Sequence, residues 1–159
     1  MSAEIVVQRL RRFLLVLAGS LCIGTVVDLL LVEHRQDLVQ FIPFILSGLG
    51  LIAVAAALFR PQRTTLRALQ IVMVLNILGS LFGVYEHVEH NMAFALEIRP
   101  NTTTSAAFWA ALSGANPLLA PGILALAAII ALAATYYHPA LEDATAGIRD
   151  TGNRIRDRT

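Results

Sequence analysis

The sequence predicts an all-α protein: a bundle of four transmembrane helices with both termini cytoplasmic and a short interfacial helix before the fourth span. Three observations predict it. Of 159 residues, 57% are hydrophobic and 14% charged, with mean hydropathy +0.68, which leaves too little polar surface for a soluble domain of this size. Four stretches, 13–32, 41–59, 68–85 and 118–137, approach the roughly 20 apolar residues that a helical span needs. Ten of the twelve arginines (9, 11, 12, 60, 63, 67, 149, 154, 156 and 158) fall on one side of this thread, and only Arg35 and Arg99 on the other. Such a bias assigns the arginine-rich side to the cytoplasm.

The first apolar run follows Arg9, Arg11 and Arg12, as a secretory signal would, but it exceeds the roughly 7 to 15 residues of a signal core. Gly19-Ser20-Leu21-Cys22 offers neither a small-residue cleavage site nor a lipoprotein box, so the run reads as an uncleaved first helix ending near Glu33. Cys22 is the only cysteine, which excludes an internal disulfide and a thiolate metal cluster. A short polar link leads to Pro43, suited to the first turn of span two because its missing donor would have no partner there. The turn at 60–65 carries Thr64 and Thr65 as candidate caps for span three.

About thirty residues separate spans three and four, too many for a simple turn. Within them, 105–113 places Phe108, Trp109 and Leu112 at helical spacing, the pattern of a short helix in the headgroup layer. Gly114 would end it, and Pro117 and Pro121 lead into span four. Residues 1–138 then form the transmembrane domain and 139–159 a charged cytoplasmic tail, partly helical or disordered.

Small and polar residues recur at helical spacing on each span: Ser20, Gly24 and Asp28; Ser47 and Gly50; Asn76, Ser80, Gly83, His87 and His90; Ala127, Ala131, Ala134 and Thr135. Gly79 and Gly83 form a GxxxG pair. These are the expected packing faces, because helix association in lipid uses small residues and occasional interhelical hydrogen bonds. Asn76 reads as one such bond.

Six of eleven carboxylates (Asp28, Glu33, Asp37, Glu86, Glu89, Glu97) and three of four histidines (His34, His87, His90) gather at the outward end. With spans one and three ending there, Glu33, Glu86 and Glu89 are expected beside helix C-termini, where a carboxylate is unfavourable unless a cation is near. Protonated histidine, Arg35, Arg99 or a metal ion would supply one. The candidate metal ligands are His34, Asp37, His87, His90 and Glu97, with Gln40 and Asn91 as supporting residues; imidazole and carboxylate suit zinc, iron, copper or manganese. The alternative is a set of solvated surface groups joined by ion pairs worth about 0 to 1 kcal/mol each. Asp28, about one turn inside the membrane, either snorkels, bonds a neighbouring helix or relays protons. His138, at the opposite end, reads as a favourable helix C-terminal residue able to carry a positive charge.

No G-x-S-x-G, HExxH or Walker-type motif occurs, and Asn101-Thr102-Thr103 matches a glycosylation sequon only formally. Twelve arginines without a lysine point to a GC-rich bacterial gene. Haem is disfavoured because His34 and His138 lie at opposite faces.

Three segments carry a resemblance: His34 to Pro43; His87 to Asn91 with Phe94, Glu97 and Pro100; and Phe108-Trp109 with Pro117 to Gly122 and Tyr136 to Leu141. Together they resemble a group of small bacterial four-span membrane proteins with the approximate patterns HYEDPxQxxP, HxxxNxxFExE and PxLAPG. The resemblance covers most of 34–141 and implies the four-span fold, but no activity. It gives weight to His34, Asp37, Gln40, His87, Asn91 and Glu97, and Leu38 departs from it by standing where the pattern has proline.

The functional expectation is a non-enzymatic subunit of a bacterial cytoplasmic membrane, held in the bilayer and assembling with itself or with other membrane proteins. Outer-face metal binding and proton-coupled transport are the alternatives. Nothing in the sequence indicates nucleic acid as a partner.

Overall fold

The computed structural model describes residues 2–32 and 38–142, and these are helical with no strand among them. Helix α1 spans Ala3–Leu31; a 3-10 turn, Leu38–Phe41, leads into α2, Ile42–Phe59; α3 spans Arg63–Ile98, α4 Thr104–Ala111 and α5 Leu119–Thr135. Helices α1, α2, α3 and α5 pack in a ring in that order, each against its two neighbours, and α4 lies on α3. Helix α1, the 38–59 segment and α3 are each long and apolar enough to cross a membrane, which is the make-up of a membrane protein. Helix α5 is equally apolar but has 17 residues.

Local chemistry sets the helix ends. Pro43 sits in the first turn of α2. Helix α3 begins at Arg63, so Thr65 serves as its third residue, accepting the Gln62 backbone N–H at 3.1 Å, and Gln62 holds the cap position expected for a threonine. Thr103 caps α4 by accepting from Ala106 N–H at 3.3 Å.

The main departure from expectation is the length of α3. Hydropathy falls at Glu86, yet the helix runs on to Ile98 as one 36-residue rod, about 54 Å long against a hydrocarbon layer of about 30 Å. Residues 86–98 contain no glycine or proline, and Pro100 is the first residue to oppose continuation. Glu86 and Glu89 therefore lie inside a helix, roughly three turns before its end. For these two the predicted conflict with a helix C-terminal dipole does not arise; Glu33 lies outside the described residues.

Buried positions alternate in steps of three and four: Leu15, Ala18, Cys22, Thr25 and Leu29 on α1; Leu66, Leu69, Met73, Asn76 and Ser80 on α3. That spacing suits near-parallel packing of neighbouring helices. Helix α3 supplies the large side chains, Leu66, Leu69 and Met73, while α2 and α5 meet them mainly with small ones such as Ser47, Gly50, Ala53, Ala57, Ala127, Ala128 and Ala131. The expected faces of α2 and α5 agree with this. On α1 the expected face is wrong: Ser20, Gly24 and Asp28 are exposed, and the parallel stripe Ala18, Gly19, Cys22 and Thr25 faces the protein.

Gly79 and Gly83 face different neighbours. A β-carbon on Gly79 would collide with Leu46 of α2, and one on Gly83 would lie 3.1 Å from Pro121 Cβ of α5. Leucine at 46 can turn aside, but the proline ring cannot. Gly83→Leu should therefore cost about 1–3 kcal/mol and lower the thermal midpoint in detergent. Gly48→Ala, which meets no atom within 4 Å, should leave the midpoint unchanged or raise it slightly.

Candidate functional site

The polar end is built on the second half of α3. His87 is half buried, with Nδ1 2.9 Å from the carbonyl oxygen of Pro117, just ahead of α5. A carbonyl can only accept, so Nδ1 carries the hydrogen. His90 makes the corresponding bond within its own helix, donating from Nδ1 to the Glu86 carbonyl at 2.8 Å, and in the neutral ring this places the lone pair on Nε2.

Ligand atoms of Glu86, Glu89 and His90 lie within 4.8 Å of one another, with Glu89 and His90 exposed and Glu86 half buried. Helical spacing explains the grouping, since residues three and four apart share a face. The structure does not extend the group to Glu97. Its backbone lies ten residues beyond His87 on the same straight helix, about 15 Å along the axis and on another face, so the pair is poorly placed to share one ion. Glu97 is exposed. His34 and Asp37 lie outside the described residues. Gln40 is half buried in the 3-10 turn before α2.

Asn91 has a different employment. It is 3% exposed, and its amide nitrogen donates to the carbonyls of Ala111, at 3.0 Å, and Asn116, at 2.9 Å, while its oxygen accepts the Asn116 N–H at 2.9 Å. One side chain thus ties the end of α4 and the link to α5 onto α3. Gly114 completes the clamp, because any β-carbon there would strike the Asn91 side chain. His87, one turn earlier, holds the same link through Pro117. Both residues therefore shape the connection over the polar end.

Farther into the membrane, Asn76 is 1% exposed and donates to the Val72 carbonyl of its own helix at 3.0 Å, so the expected interhelical bond is replaced by one within α3. Asn76 Oδ1, Ser47 Oγ and Ser80 Oγ make no hydrogen bond among the described residues. Gly50 brings α2 close here: a β-carbon on it would lie 3.3 Å from both Asn76 Nδ2 and Cys22 Sγ. Asp28, on the exposed side of α1, is separate from this seam.

At the arginine-rich end, His138 lies just beyond α5. Burial first, and then the nearby Arg11 guanidinium, hold it below the ordinary histidine value of 6.5. This corrects the cationic reading, because the environment disfavours the charge. The sequence placed Tyr136 and Tyr137 at the end of an apolar run and His138 at a helix C-terminus, but gave no hint of the contacts this region makes with α1 and α3.

Asn91→Leu keeps the volume and removes three hydrogen bonds; the Ala111 carbonyl keeps its bond from Gly114 N–H, while the Asn116 N–H and carbonyl lose the bonds they make to Asn91. The expected outcome is a loss of about 1–3 kcal/mol, with amide exchange accelerated over 111–117 and unaffected in the 50–57 segment of α2.

No protein-family model, curated protein or solved structure matches this chain.

Proposed function

We propose that the protein is an integral subunit of a bacterial cytoplasmic membrane that assembles through α1 with a second copy of itself or with another membrane protein. One observation carries this reading: Ser20, Gly24 and Asp28 recur every four residues on the exposed side of α1, with no atom within 4 Å of a β-carbon built on Gly24. Such a stripe permits close backbone approach, and a carboxylate on a lipid-facing surface gains from a partner that supplies a donor. The flanking residues Ile23, Val27, Leu30 and Leu31 are exposed and apolar, so a second helix would meet a surface polar only along the stripe.

In the proposed topology α1, α2, α3 and α5 are the four spans and both termini are cytoplasmic. Arg9, Arg11 and Arg12 open α1, Arg60, Arg63 and Arg67 flank the α2–α3 turn, and Arg11 reaches the carbonyls after α5, so the positive charge shares one end. Exposed Trp109 and Phe108, in edge contact at 5.7 Å, support an interfacial α4. The resemblance to small bacterial four-span proteins agrees with this arrangement. Transport has less support, since Asp28 lies away from the buried Ser47, Asn76 and Ser80.

Association is testable by sedimentation equilibrium and by co-purification in mild detergent. Wild-type protein should recover as an oligomer or with a stable partner, and Gly24→Leu or Asp28→Leu should weaken that association by about tenfold. Wild-type protein recovered as a partner-free monomer would overturn the reading.

A second reading, metal binding, is favoured by the proximity of Glu86, Glu89 and His90. Two carboxylates and an imidazole suit zinc, iron or manganese, with His34 or Asp37 as further candidate ligands. Elemental mass spectrometry of purified protein should then find near-stoichiometric metal that is lost on combining Glu86→Gln with His90→Ala and retained in Glu97→Gln. Wild-type protein that stays metal-free after exposure to these ions would end that reading.

A further inference from the structure

The arginine-rich end contains a second polar structure, built where the chain leaves α5. Gln70 of α3 donates to Thr135 Oγ1 at 3.1 Å, and Thr135 in turn donates to the Leu132 carbonyl at 2.8 Å. The chain then bends sharply. Tyr137 has φ 46°, the only positive value at a non-glycine position among the described residues, and a bulky side chain there is strained. Arg11 of α1 holds the bend, donating to the carbonyls of Tyr136 at 3.2 Å and Tyr137 at 2.8 Å. His138 N–H returns to the Thr135 carbonyl, and Ala140 N–H donates to His138 Nδ1 at 3.2 Å. The ring hydrogen is therefore on Nε2.

This bend borders a cavity of about 500 Å³ that is wide open to the surroundings, and its lining includes Gln70, Leu132, Tyr136, Tyr137, His138 and Glu142. Among the described residues its lining carries one carboxylate, no guanidinium, and a histidine whose positive charge is disfavoured by burial and by Arg11. The two tyrosine rings meet edge to face at 4.7 Å and are both largely exposed, so their faces are accessible from the interface. A carboxylate with aromatic faces selects an ammonium group. Leu132 offers an apolar wall, and Arg11 sets a positive charge beside the same residues.

We propose that this cavity receives the headgroup of an ethanolamine phospholipid, with the ammonium between Glu142 and the tyrosine rings, the phosphate toward Arg11, and the first acyl carbons along Leu132. A lipid is the occupant because tyrosines at the end of an apolar helix mark the interface, and because the α1 and α2–α3 arginines at this end attract phosphate. An ethanolamine headgroup matches the charges: an ammonium for the acidic lining and a phosphate for the guanidinium beside it. A glycerol headgroup would leave Glu142 facing a neutral hydroxyl with no cation. The site is separate from the Ser20, Gly24 and Asp28 stripe of α1 and from the Glu86, Glu89 and His90 group.

The test is native mass spectrometry of the full-length protein in mild detergent, titrated separately with phosphatidylethanolamine and phosphatidylglycerol. Phosphatidylethanolamine should be retained about fivefold to tenfold better, and Glu142→Gln, at an exposed position, should remove that preference without changing helicity or the thermal midpoint. Tyr136→Leu, beside the strained residue and not at it, should reduce the preference in the same direction. Equal retention of the two lipids, a preference for phosphatidylglycerol, or an ethanolamine preference that survives Glu142→Gln would each overturn the proposal.

Discussion

The uninterrupted length of α3 is the constraint on which the rest of this molecule depends. It contributes a wall to the contacts with α2 and α5, carries α4 on its outer part, and supplies Glu86, His87, Glu89, His90 and Asn91 from one rigid element. A rod of about 54 Å in a layer of about 30 Å must project or tilt. Because the bond ladder does not break at Glu86, the polar half inherits its direction from the buried half. His87 and Asn91 can then fix the link before α5 by hydrogen bonds to Pro117 and Asn116. Their geometry is set by the Leu66, Leu69 and Met73 packing several turns away.

Packing within the membrane follows from size. Lipid tails compete well with any apolar side chain, so helices gain little from hydrophobicity and more from close approach. Ala18, Gly50, Ala57, Ala128 and Ala131 provide that approach, and the larger residues of α3 fill the space they leave. Most of the large apolar side chains of α1 point the other way, among them Phe13, Val16, Ile23 and Val27. The molecule is in this sense inverted relative to a soluble bundle: small inside, large outside.

That inversion explains what could and could not be read from the sequence. The α2 segment was legible almost to the residue, because Pro43 at one end and Arg60-Pro61 at the other punctuate an apolar run. The end of α3 was not, since hydropathy measures affinity for lipid and residues 86–98 lose that affinity while keeping every requirement for a helix. On α1 two stripes of small residues run side by side, and helical periodicity cannot choose between Ser20/Gly24 and Ala18/Cys22 when the surroundings of both are apolar. The histidines and carboxylates at the polar end stood out in the sequence as ionisable groups beside apolar spans. Their grouping was not legible, because whether Glu97 joins His87 depends on α3 staying straight between them. The bend at Tyr137 and its capture by Arg11 join residues 126 positions apart, beyond any local pattern.

Between the two polar ends lies the seam of Ser47, Asn76 and Ser80, and its energetics decide how it should be understood. Three buried oxygens without partners would be a heavy cost in hydrocarbon if they were obliged to stay so. Serine hydroxyls in helices have a local remedy, which is to turn onto the carbonyl one turn earlier, as Ser20 does with Val16 and Thr25 with Leu21. Asn76 already uses that remedy through its nitrogen. Its oxygen then becomes an acceptor within a crowded junction where Gly50 and Cys22 leave no space for a larger residue. The seam therefore fixes the relation of α2 to α3 by shape, with Gly50 of α2 admitting Asn76 of α3 and Cys22 of α1. The small residues thus serve two purposes at once. They let the backbones approach, and their short side chains can return to their own helix, which limits the cost of burying a polar atom.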